Sequence, residues 1–145
     1  MVYYFAYGSN MDENRFKSRI KDYKIIGKGL LKDYQLKFNK PAMKDDWGYA
    51  NICPEKDCQV EGVIYEVNED SLKELDKYER VPDQYYRTKL NIKSRNKELE
   101  CDVYIASGVD DSLKPVKWYL QFLLNGKKYL SKKYFEFLKN TETFD

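Results

Sequence analysis

Val2-Tyr3-Tyr4-Phe5-Ala6-Tyr7 runs directly into Gly8-Ser9-Asn10 at the head of the chain. Its run of aromatic, small and β-branched residues carries no charge, which predicts a strand over 2–7 buried on both faces. The glycine marks a tight turn, because a residue without Cβ lets the backbone approach a neighbour closely or take a positive φ. Asp12 then supplies an N-cap for a short helix carrying Phe16 and Ile20 at i, i+4 spacing. A strand that feeds a helix start through such a turn presents unsatisfied N–H groups and a positive dipole end, a seat for a carboxylate or phosphate. A turn plus a helix cap with nothing bound describes the same residues.

Downstream, residues 23–38 alternate at Tyr34, Leu36 and Phe38 but are interrupted by Gly27 and Gly29, which predicts bent or bulged strands. Residues 40–48 read as a loop, 49–53 as a short strand, 54–57 as a turn and 59–67 as a strong strand. A second helix is expected over 69–79 with Asn68 as its cap. Strands over 85–93 and 99–106 flank a hairpin turn at Ser94-Arg95-Asn96-Lys97. Helical spacing returns at Tyr119, Phe122 and Leu123 and, after Gly126, at Tyr134, Phe137 and Leu138. This order lacks regular βαβα alternation and points to an α+β fold with a curled or barrel-like sheet.

Composition narrows the chemistry. The 145 residues are 42% hydrophobic and 34% charged, as in an ordinary globular chain. Lys plus Arg number 26 against 24 Asp plus Glu, too balanced to announce a nucleic-acid or membrane partner. Histidine is absent. That excludes Ser–His and Cys–His pairs, imidazole metal ligands and imidazole proton shuttles. Proton transfer is left to carboxylates, tyrosines, lysines and cysteines. Cys53, Cys58 and Cys101 are an odd count with half a zinc motif at most, so free thiols are expected and no metal. No apolar run approaches the ~20 residues of a membrane span, and the start lacks the basic and apolar regions of a signal peptide. The expected compartment is the cytoplasm. The 14 tyrosines and the pairs Lys127-Lys128 and Lys132-Lys133 form no RNA-binding aromatic motif; the lysines read as a solvated face.

Glu79 stands out among the carboxylates. With Leu72 at zero, Leu75 lies about 60° and Glu79 about 20° away, so Glu79 falls on the apolar stripe of its helix. It also lies in the last turn, where the dipole disfavours a second negative charge. Burial and dipole both raise a carboxyl pKa toward the range useful for proton transfer. A frayed end with Glu79 in water fits the same pattern, and Asp76, about 40° from Leu72, is the competing carboxylate.

Taken together, these segments resemble a known family. Tyr4-Phe5-Ala6-Tyr7-Gly8-Ser9-Asn10-Met11 is similar to the first strand and substrate loop of the γ-glutamylcyclotransferase-like superfamily. Glu61-Gly62-Val63-Ile64-Tyr65-Glu66-Val67, followed by Leu75-Asp76-Lys77-Tyr78-Glu79, resembles its segment ending in the catalytic glutamate. Gly48-Tyr49-Ala50-Asn51-Ile52, Tyr85-Tyr86-Arg87 and Pro115…Tyr119…Gly126 fall where the family has similar elements.

The resemblance implies a single domain over 1–145, a small mixed β-barrel flanked by helices with one pocket at its mouth. Tyr4, Phe5, Ala6, Tyr7, Gly8, Ser9 and Asn10 would hold a γ-glutamyl group, Tyr119 would line the pocket, and Glu79 would be the general acid/base. The implied reaction releases 5-oxoproline from a γ-glutamyl amide, either a γ-glutamyl amino acid or a γ-glutamylamine, without cofactor or metal. A non-catalytic carboxylate-binding protein and another acyl chemistry in the same pocket are the alternatives; monomer and homodimer are both open. Two positions depart from the family. Arg80 replaces the glycine that usually follows the glutamate, where it would pair with Glu79 or select an acidic group. Tyr49 replaces a small residue and would narrow the pocket.

Overall fold

The computed structural model describes residues 1–145. In chain order it runs β1 (Val2–Ala6), a 3-10 turn (Ser9–Met11), α1 (Glu13–Arg19), β2 (Tyr23–Pro41), β3 (Gly48–Val67) and α2 (Glu69–Tyr78). It continues with β4 (Tyr85–Ser94), β5 (Lys97–Ala106), α3 (Lys117–Leu124), a second 3-10 turn (Lys127–Tyr129) and α4 (Lys132–Lys139). The strands close into a barrel in the order β1-β3-β2-β4-β5, so the α+β barrel with flanking helices is observed. β1 pairs antiparallel with β3 from Val2↔Val67 to Ala6↔Val63, and parallel with β5 at Tyr3↔Cys101 and Tyr4↔Asp102. That parallel contact makes the sheet mixed.

The apolar character of β1 follows from its place between β3 and β5. Phe5 is fully buried, and its ring occupies space that two glycines leave open. A Cβ on Gly29 would stand 2.9 Å from the Phe5 ring, and one on Gly62 would stand 2.3 Å from the Ala6 carbonyl oxygen. Both glycines serve close approach. Of the two breaks expected in β2, the one at Gly27 is a register shift with φ 132°, whereas Gly29 stays in register opposite Gly62.

Two expected boundaries are corrected. The loop over 40–48 begins later, because β2 extends through Lys40↔Tyr49 and Pro41↔Gly48. The turn over 54–57 does not reverse the chain. β3 continues through it, with register passing from Tyr34↔Pro54 to Lys32↔Gln59, so the intervening residues bulge opposite Asp33. The turn-forming residues make a bulge, and long-range pairing with β2 on both sides keeps the strand direction.

The helices are fixed by caps and by aromatic packing. Asp12 accepts from the Arg15 amide at 2.9 Å, and Asn68 accepts from the Ser71 amide at 2.7 Å, as their residue types predict. α1 lays Phe16 on Tyr65, with ring centroids 3.9 Å apart. α4 is tied to the barrel by buried Glu61, which accepts from both the amide and the hydroxyl of Ser131 at 2.7 Å and pairs with Lys28 at 3.1 Å. No helix is long and apolar enough to cross a membrane. Cys53, Cys58 and Cys101 are free thiols, and no three acidic or cysteine side chains converge as metal ligands. Lys127, Lys128, Lys132 and Lys133 are all exposed.

Candidate active site

β1 delivers the chain into a cavity of about 550 Å³ at one end of the barrel. Tyr4, Tyr7, Gly8, Ser9 and Asn10 line it together with Glu79 and Tyr119. Phe5 and Ala6 do not: the strand's alternation turns Phe5 into the core, and both residues are buried away from the cavity wall. Their part is to seat the loop.

The loop is held by side chains from three other elements. Tyr65 donates its hydroxyl to the Asn10 carbonyl at 2.7 Å, and Asn10 Nδ2 donates to the Tyr4 hydroxyl at 3.0 Å. Arg19 Nη1 donates to Asn10 Oδ1 at 3.2 Å, and Arg15 Nε donates to Ser9 Oγ at 2.9 Å. Ser9 therefore keeps its own proton available as a donor. The amides of Met11 and Asp12 bond back to Gly8 and Ser9 carbonyls at 3.0 and 3.1 Å. Gly8 has φ −113°, so its role is close approach: a Cβ there would lie 3.3 Å from Ala50 Cβ and 3.4 Å from the Tyr119 hydroxyl.

Tyrosines make most of the remaining wall. The Ala50 amide donates to the Tyr119 hydroxyl at 3.1 Å, and Tyr85 donates to the Ala50 carbonyl at 2.8 Å. Burial pushes the Tyr119 hydroxyl well above its ordinary pKa, and the Glu79 charge adds to this. Tyr119 thus stays protonated and retains a donor. Tyr49 lines the cavity as expected, its ring 5.1 Å from Tyr119 and 4.5 Å from Trp47.

Glu79 is the C-cap of α2, and its side chain is 18% exposed within this cavity. Its ion pair with Arg19 is 3.9 Å long, beyond hydrogen-bond reach. Burial raises its pKa above the ordinary value; Arg19, Arg15 and Lys40 oppose that shift, and Asp76 adds to it. Asp76, the competing carboxylate, lies outside the cavity. Arg87 grips it at 2.8 and 3.1 Å, and Tyr104 donates to it at 2.7 Å.

The departure at Arg80 has a backbone reason. Arg80 is left-handed at φ 53°, its amide reaches the Lys77 carbonyl at 3.2 Å, and the Val81 amide reaches Asp76 at 3.0 Å. This is a Schellman helix end, at the position where glycine carries no steric cost. Arg80 lines the cavity without pairing with Glu79, so the expected pairing is replaced by Arg19.

Sequence reasoning missed Arg15, Arg19 and Lys40, all in the cavity wall. The two arginines carried a usable signal, an i, i+4 pair on the helix that follows the glycine turn. Lys40 carried none, because burial of a lysine is the exception.

Comparison with known proteins identifies the family and the fold. Residues 4–120 match the family described as "Gamma-glutamyl cyclotransferase, AIG2-like". The γ-glutamylcyclotransferase of Homo sapiens is 30% identical over 151 residues, covering 98% of this chain and 79% of that protein. The enzyme of the same name from Bos taurus is 30% identical over 131 residues, covering 86% of this chain and 69% of its own length. A solved γ-glutamyl cyclotransferase structure superposes with a TM-score of 0.92 at 26% identity, over 99% of this chain and 89% of the other.

Proposed function

The chain belongs to the γ-glutamyl cyclotransferase, AIG2-like family, and we propose that it releases 5-oxoproline from a γ-glutamyl amide with Glu79 as general acid and base. One observation carries the reading: a sequestered carboxylate with free lone pairs shares a cavity with the Tyr7–Asn10 loop. In a γ-glutamyl amide the α-amine sits at five-membered-ring distance from the γ-carbonyl. A pocket that folds the substrate into that ring makes attack intramolecular, with effective molarities on the order of 10⁵ M or more.

The α-amine has a pKa of about 8 and is mostly protonated at neutral pH. Glu79 removes that proton, and the raised basicity that burial gives it suits the task. The amine nitrogen then bonds to the γ-carbon. The resulting oxyanion is met by the Gly8–Asn10 amides and the Ser9 and Tyr119 hydroxyls, donors fixed before reaction and therefore costing no reorganisation. Glu79 returns the proton to the departing nitrogen as the old amide bond breaks. The ring nitrogen's second surplus proton passes to the released amine, which ends as an ammonium. Arg15 and Arg19 hold the loop and favour the α-carboxylate.

The test is 5-oxoproline release from a panel of γ-glutamyl amino acids and γ-glutamylamines by parent and Glu79→Gln. Release by the parent, with its loss in a variant of unchanged circular dichroism, is expected. Near-normal release by the variant overturns the role of Glu79. Ligand binding by calorimetry without turnover of any compound in the parent favours the carboxylate-binding alternative, for which the cationic wall is the supporting observation.

A further inference from the structure

Lys40 is 4% exposed and stands in the cavity wall. Its ammonium donates to the Pro41 carbonyl at 2.8 Å and to Gln84 Oε1, both neutral acceptors. It sits 5.4 Å from the Tyr49 ring centroid and 5.7 Å from that of Tyr85. Its charge is partly met by those aromatic faces. None of the molecule's ion pairs includes it. An ammonium has three donors, so one remains for something in the cavity. A buried charge without a counter-ion is costly, and a ligand carboxylate would supply the partner.

Arg80 is a second cation of the wall, and an exposed one. It lines the same cavity, also without an ion pair, at a left-handed position where glycine is unstrained. Lys40 feels Arg80 as a like charge and Glu79 as an opposite one. Arg15 and Arg19, by contrast, are engaged with Ser9, Asn10 and Glu79. With Lys44, five cations face the cavity against Glu79 and Asp45. A γ-glutamyl group brings one carboxylate and one ammonium, which leaves this surplus unmatched. A departing group that bears carboxylates supplies balancing charge.

We propose that Lys40 and Arg80 form a subsite for an acidic leaving group, selecting γ-glutamyl amino acids whose second residue bears a side-chain carboxylate. This inference rests on the cyclotransferase reading. Simple γ-glutamylamines bring no carboxylate and leave both cations unpaired; a neutral leaving amino acid brings only its α-carboxylate, whereas an acidic one brings a second, one for each cation. Specificity then follows from the desolvated ammonium, because a neutral isostere forfeits a charge-assisted bond.

The test compares γ-glutamyl-glutamate with γ-glutamyl-glutamine, which differ by that charge alone. The parent should favour the acidic compound in kcat/KM at least about tenfold, mainly through KM. Lys40→Met should abolish the preference and Lys40→Arg restore most of it. Equal use of both compounds by the parent, or a preference that survives Lys40→Met, overturns the proposal. Arg80→Gln, at an exposed position, provides the same ratio should Lys40→Met not fold, and an unchanged ratio there counts against the subsite. If neither compound yields 5-oxoproline, the activity reading fails separately. Calorimetric titration of the parent and Arg80→Gln with the same pair then decides the subsite, the acidic compound binding more tightly only to the parent.

Discussion

Asp76 and Glu79 lie within one turn of the same helix, yet the molecule treats them oppositely. Asp76 accepts three hydrogen bonds, two from the Arg87 fork and one from the Tyr104 hydroxyl. Glu79 has only a long contact to Arg19 and faces the cavity. A carboxylate held by three hydrogen bonds keeps structure together, whereas one left short of partners in a desolvated place is ready to accept a proton. Helical phase put both near the apolar stripe; cross-element partners told them apart.

That contrast can be broken most sharply at Glu79. Glu79→Gln should lower 5-oxoproline release by about 10³-fold with the fold intact, measured by steady-state assay and circular dichroism. Asp76→Ala should do the reverse: it leaves the Tyr104 hydroxyl only the Leu72 carbonyl at 3.5 Å and loosens Arg87, costing about 2 kcal/mol in urea unfolding, with far less effect on turnover. Arg80→Gly relieves a left-handed arginine and should add about 1 kcal/mol of stability, seen as a higher urea midpoint. The smallest effect concerns pH. Because burial raises the Glu79 pKa in the folded state, its ionisation weakens the fold as pH rises from the ordinary carboxylate range through that raised value. Thermal melts should therefore show Glu79→Gln gaining on the parent at pH 7 and losing that gain at pH 4.

The parts legible in the sequence were local ones. The phase of Glu79 against Leu72 and Leu75, the caps at Asp12 and Asn68, and the glycine turn all depend on residues a few positions apart, where helix and turn geometry are fixed. What stayed hidden depends on distant partners. The 54–57 segment looks like a reversal until β2 pairs with both its flanks. Lys40 looks like the start of a loop, and nothing nearby announces that Gln84, Tyr49 and Tyr85 enclose it. Phe5 and Ala6 adjoin the binding loop in sequence, but strand alternation commits Phe5 to the barrel interior.

Phe5, Gly29 and Gly62 also constrain how such a protein can diverge. A larger residue at either glycine collides with that ring or with the Ala6 carbonyl, and a smaller one at position 5 opens a void, so single changes at any of the three are penalised. Exposed Arg80 on the rim carries no such interlock. A lineage built on this barrel can therefore explore new specificities by drift at the mouth while its centre is inherited as one indivisible block.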